Sequence, residues 1–127
     1  MITLGIDPGS RRIGYGVVKR KAGALLFIEA GLLGAPNLNS SNSLTQSKLH
    51  LSQIIKKFKP DLIAIEKLYF AKNQKTALAV AENRGVIILT ATELSVPIQE
   101  YSPSEIKAKV TGYGAADKKS VAKMVRL

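Results

Sequence analysis

The chain contains no cysteine, a single histidine and only nine acidic residues among its 127 positions. Each scarcity removes a class of chemistry. Without cysteine there can be no disulfide, no thiolate metal site and no cysteine nucleophile, and nothing points to an oxidising compartment. His50 falls in a helical pattern with no second histidine or cysteine to share an ion, so it reads as a surface or packing residue. Any metal ligands must be oxygen. Long apolar runs are missing too: none approaches the ~18 residues of a membrane span. The chain reaches Asp7 without the basic and then apolar pattern of a signal peptide, so the expected location is the cytoplasm.

Basic residues, by contrast, are abundant. Nineteen Lys and Arg against nine Asp and Glu give a formal net charge of +10. They run from Arg11 and Arg12 through Lys56 to Lys59 and Lys67 to Lys75, and on to Arg126. A single cluster would read as a solubilising surface, but an excess of this size in a short chain favours a polyanion, nucleic acid above all. At this length about two-thirds of the unfolded surface can be buried, enough for one sheet with helices packed on it, so residues 1–127 read as one domain.

Ile2, Leu4 and Ile6 alternate with Thr3 and Gly5 until Pro8-Gly9 breaks the run, the punctuation of a strand and a tight turn. Ile13 to Val18 and Leu25 to Leu33 are strand-like and separated by Lys19 to Gly23, which predicts a hairpin. A loop from Ala35 to Ser43 leads to a capping box at Ser43 and Gln46, and Leu44, Leu51, Ile55 and Phe58 recur at helical spacing until Pro60. Leu62 to Ile65 is a short continuous apolar run, as in a strand covered on both faces. Asn73 can cap a helix from Gln74 to about Glu93, whose Ala77, Ala81 and Gly85 form a ridge of small residues for close approach to the sheet or to a partner. Pro97 to Tyr101 predicts a fifth strand. Ser102-Pro103-Ser104-Glu105 opens another helix ending at Gly112 to Gly114, and Asp117 opens a last one. This order resembles the ribonuclease H-like α/β arrangement, a five-stranded mixed sheet with flanking helices, in which the first and fourth strands are parallel neighbours.

Two of those strands end in a carboxylate: Asp7 in GIDPGS and Glu66 in LIAIE. Taken singly, each would be read as bonding loop amides. Side by side they are costly unless a cation lies between them. Magnesium is held by one or two carboxylates plus substrate phosphate, and a pair of ions about 3.5 to 4 Å apart can activate water and neutralise the leaving oxygen in phosphodiester hydrolysis. Glu29, Asp61, Glu82, Glu93 and Asp117 fall elsewhere in the pattern.

The segments GIDPGSRRIGYGVV (Gly5 to Val18), AIEKLYFAKN (Ala64 to Asn73), NRGV (Asn83 to Val86) and YSPSEIKAKVTGYGAADKKSV (Tyr101 to Val121) resemble, in order along the chain, the RuvC family of bacterial Holliday junction resolvases. The resemblance implies a homodimeric, Mg2+-dependent endonuclease with two ions per active site. It would bind four-way junction DNA, nick paired strands to leave 5′-phosphate and 3′-hydroxyl ends, and work with a RuvAB branch-migration complex in recombination and repair. It implies that Asp7 and Glu66 are metal ligands and that Lys107 and Lys118 stabilise charge at the scissile phosphate. Tyr69 would stack on an unpaired base, while Arg11, Arg12, Lys72 and Asn73 contact DNA. Two further carboxylates of the family belong to a helix beyond Leu127, so the nuclease domain is expected to be incomplete at its C-terminus and cutting by these residues alone to be impaired.

Three other readings compete. A YqgF-like ribosomal RNA processing nuclease opens with a related aspartate turn but accounts less well for AIEKLYFAKN. A junction-binding module without catalysis would need no further carboxylates. A sugar kinase or actin-like ATPase would need a second domain. DPGS lacks the glycine spacing and Lys-Ser/Thr ending of a nucleotide loop, so a nucleotide site is not expected.

Overall fold

The computed structural model describes residues 1–9, 12–34, 40–67 and 74–102. They form β1 (Ile2–Pro8), β2 (Ile13–Lys21), β3 (Ala24–Leu33), α1 (Ser40–Phe58), β4 (Leu62–Glu66), α2 (Gln74–Glu93) and β5 (Ile98–Tyr101). The strands make one five-stranded sheet ordered β3-β2-β1-β4-β5. β1 pairs antiparallel with β2, and β2 with β3, whereas β1 pairs parallel with β4, and β4 with β5. The parallel pairs are those joined through helices, as a crossover requires. This is the ribonuclease H-like mixed sheet expected from the element order. The helices expected from Ser102 and from Asp117 lie outside the described residues.

The β2–β3 hairpin is tighter than its charged sequence suggested. Lys21 pairs with Ala24, leaving only Ala22 and Gly23 in the turn, and both have positive φ, 52° and 79°. That is the mirror-image two-residue turn whose twist matches paired strands, so Lys19 to Lys21 belong to β2 rather than to a loop. α1 likewise begins at Ser40, three residues before Ser43, so the expected capping box falls inside the first turn. A run of Ser and Asn offers several equivalent starts, and the local pattern could not choose among them. Gly34 closes the preceding segment at φ 77°, and a Cβ there would lie 2.8 Å from Ser47 Oγ on α1, so only glycine fits.

The core occupies one face of the sheet. Leu4, Val17, Ile63 and Ile65 are almost wholly buried beneath Leu51 of α1 and Ile87 and Ala91 of α2. α2 meets the core through Asn83, Ile87, Thr90 and Ala91, all buried, while Leu78, Ala81, Gly85 and Leu89 are exposed. Of the predicted small-residue ridge only Ala77 is buried, and a Cβ on Gly85 would meet nothing within 4 Å. β4 was expected to be covered on both faces. Ile63 and Ile65 are buried on the core face, whereas Leu62 and Ala64 on the other are half-buried. β5 starts one residue after Pro97, which has no N–H to donate, but the Pro97 carbonyl still accepts the Ile63 N–H at 2.9 Å.

Candidate active site

β1 and β4 run parallel with Ile6 beside Ile65. The next residues are Asp7 and Glu66, so both carboxylates leave the same end of neighbouring strands. Because side chains alternate, both project to the face opposite the core. They line one cleft of about 510 Å³, with Tyr101 flanking Glu66 from β5. Its floor is made of Gly5, Gly16, Ala30 and Ala64. Nothing lies within 4 Å of where a Gly16 Cβ would stand, so the small residues keep the floor low and leave room over the sheet. Asp7 is exposed and Glu66 half-buried. β4 is held at this end by the Lys67 N–H, which donates to the Tyr101 carbonyl at 2.7 Å.

The turn after Asp7 is built tightly. Gly9 N–H donates to the Asp7 carbonyl at 3.0 Å across Pro8, a three-residue turn. A Cβ on Gly9 would stand 2.3 Å from the Arg12 carbonyl, so the chain folds back over a position only glycine can occupy. From α2, Asn83 Nδ2 donates to the Gly9 carbonyl at 2.8 Å. Asn83 was visible in the sequence only as part of NRGV. A polar residue at a core-facing helical position was the signal that could have singled it out.

Four of the other acids are engaged away from this cleft. Glu29 accepts from Tyr15 Oη at 3.0 Å and lies 3.9 Å from Lys57 Nζ. Asp61 accepts the Ile2 N–H at 2.8 Å. Glu93 pairs with Lys48 at 3.3 Å, and Glu100 pairs with Arg84. Burial, then the hydrogen bond to Glu29 and its negative charge, push the Tyr15 phenol above its ordinary range. The Tyr15 ring also fills the space a Gly31 Cβ would need, 3.1 Å away, and stands edge-on to His50. His50 Nδ1 accepts the Gly34 N–H at 3.3 Å, a packing role. Among the described residues no group of three or more His, Asp or Glu converges as a metal cluster. The donor set that does converge, two carboxylates with no nitrogen or sulfur ligand, suits a hard divalent ion whose other positions are taken by water or phosphate.

Arg12 is exposed where the chain returns to β2, close in sequence to the Asp7 turn. Arg11, Tyr69, Lys72, Asn73, Lys107 and Lys118 lie outside the described residues. No helix among the described residues is long and apolar enough to cross a membrane.

Comparison with known proteins places these features. Residues 3–127 match the family model described as crossover junction endodeoxyribonuclease RuvC. The protein of that name from Brachyspira hyodysenteriae is 46% identical over 128 residues, covering 100% of this chain and 80% of the relative. The one from Chloroflexus aggregans is 42% identical, covering 100% and 78%. In structure, T. thermophilus RuvC in complex with Holliday junction substrate superposes with a TM-score of 0.91 at 29% identity, covering 99% of this chain and 78% of that one. Of the ribonuclease H-like alternatives, these matches favour RuvC over the ribosomal RNA nuclease.

Proposed function

The chain belongs to the crossover junction endodeoxyribonuclease RuvC family, and from that premise we propose that it binds four-way DNA junctions and nicks paired strands across them. The observation that carries the chemistry is the convergence of Asp7 and Glu66 on one cleft at the end of β1 and β4. These two would hold Mg2+, which supplies activation of water and neutralisation of charge at the phosphodiester. Glycine at the floor admits the DNA backbone close to the sheet, and the Asp7 turn fixes one ligand against β2. Lys107 and Lys118 are assigned to charge on the phosphoryl oxygens. Arg11, Arg12, Lys72 and Asn73 are assigned to backbone phosphates, and Tyr69 to stacking on a base unpaired at the junction centre.

The exposed face of α2 supports a homodimer, matching the two-fold symmetry of the DNA. Leu78 and Leu89 present apolar surface there, with Ala81 and Gly85 low enough for a second helix to approach. Cooperation with a RuvAB complex and a cytoplasmic location complete the reading.

The test is a binding and nicking assay on a labelled four-way junction, with linear duplex of the same sequence as competitor. Preferred binding of the junction is expected of residues 1–127, and magnesium-dependent nicks at paired positions once they are continued with a helix bearing two aspartates. Equal affinity for junction and duplex would overturn the assignment.

A further inference from the structure

Asn83 is 9% exposed and sits on the core-facing side of α2, a place where a polar side chain costs stability unless it is bonded. Asparagine is also a poorer helix former than alanine, so neither burial nor helix propensity accounts for it. Its Nδ2 reaches out of the helix to the Gly9 carbonyl at 2.8 Å. Gly9 in turn donates to the Asp7 carbonyl at 3.0 Å. No other residue can stand in for Gly9, whose Cβ would collide with the Arg12 carbonyl at 2.3 Å. The Asp7 backbone is thus fixed on one side by β2, through its pairing with Gly14. Beyond the strand it is fixed by a turn that α2 holds from the core side.

We propose that Asn83 is a positioning residue for the metal site: its amide clamps the Asp7-Pro8-Gly9 turn onto α2 and so sets where the Asp7 carboxylate stands relative to Glu66. This rests on the reading of Asp7 and Glu66 as divalent-metal ligands. A clamp acts on the ligand geometry of the folded protein, whereas a merely structural bond acts only on the stability of the fold. The two are separable because leucine keeps the branched shape of asparagine and some of its packing while removing the donor, so stability and ligand geometry are read by different measurements.

The experiment uses the 127-residue chain and its Asn83→Leu and Asn83→Ala variants. Mn2+ affinity is measured by calorimetry, backbone order at Gly9 by the heteronuclear 15N NOE in metal-free buffer, and the thermal midpoint alongside. In Asn83→Leu the expected results are a loss of Mn2+ affinity of about three- to tenfold, a reduced NOE at Gly9 and a midpoint above that of Asn83→Ala. Asn83→Ala should show the same loss of affinity with a lower midpoint. Unchanged Mn2+ affinity in Asn83→Leu, or an unchanged NOE at Gly9, would overturn the proposal. If the parent chain bound no Mn2+, the metal-ligand reading would fall and the clamp on that ligand with it. The Gly9 NOE would then report only whether Asn83 orders the turn.

Discussion

In the proposed reaction the chemistry turns on Asp7 and Glu66, and their roles separate from those that hold DNA. Neither carboxylate can attract a phosphate, so replacing one by its amide removes a metal ligand without removing a DNA contact. In residues 1–127 continued with a helix bearing two aspartates, Asp7→Asn and Glu66→Gln are therefore each expected to leave junction affinity within about twofold while abolishing metal-dependent nicking, since a ligand is lost and no cationic phosphate contact with it. Gel-shift titration beside a nicking assay measures both. Tyr15 makes a contrasting prediction about stability. Its phenol donates to a carboxylate, a bond of about 1.5 kcal/mol or more, so Tyr15→Phe should lower stability at neutral pH. The phenol titrates above its ordinary value of 10.0, so the neutral form is the one the fold favours. The contribution is full below pH 10.0 and is lost as pH rises through the folded value, so the stability gap between parent and variant should close there. Denaturant melts at pH 7, 9 and 10.5 would show it. The two carboxylates proposed as metal ligands were legible in the sequence because each ended an apolar run. Asn83 was not, since its importance depends on a partner 74 positions away.

At the scale of elements, α2 has two working faces. One places Asn83, Ile87 and Ala91 against the core, and the other presents Leu78 and Leu89 to solvent at 67% and 52% exposure. A helix apolar on both sides usually has a partner on both. Leu78→Glu combined with Leu89→Glu should therefore yield monomers by light scattering at micromolar concentration, with the thermal midpoint little changed, because neither side chain touches the core. The hairpin supplies a second prediction. Ala22 carries φ 52°, a conformation that favours glycine, so Ala22→Gly should stabilise the fold by about 0.5 to 1 kcal/mol. Element types and order were readable because apolar periodicity and Pro or Gly breaks are local signals. Boundaries were less so. Lys19 to Lys21 read as a loop because they are charged, and only pairing with β3 makes them strand. The Ala77, Ala81, Gly85 ridge was visible as a stripe, but which way it points was decided by the larger residues Asn83, Ile87 and Thr90 that claimed the core.

The whole molecule joins a positively charged exterior to an acidic pair at one sheet end. A net charge of +10 implies that affinity for DNA arises largely from release of counterions. Junction affinity should thus fall by roughly a hundredfold or more between 50 and 200 mM salt, and a shallow dependence would show that the basic surface is not the DNA-binding one. The central claim is that Asp7 and Glu66 form one metal-dependent site for cutting four-way DNA. Residues 1–127 cover 80% and 78% of the length of two of the relatives they match. The decisive measurement is therefore magnesium-dependent nicking of a labelled junction by residues 1–127 continued with a helix bearing two aspartates, in the parent form and as Asp7→Asn and Glu66→Gln. Paired nicks by the parent and a loss of several orders of magnitude in each variant, with junction binding retained, are the predicted result. Nicking that persists at the parent rate in either variant would contradict it.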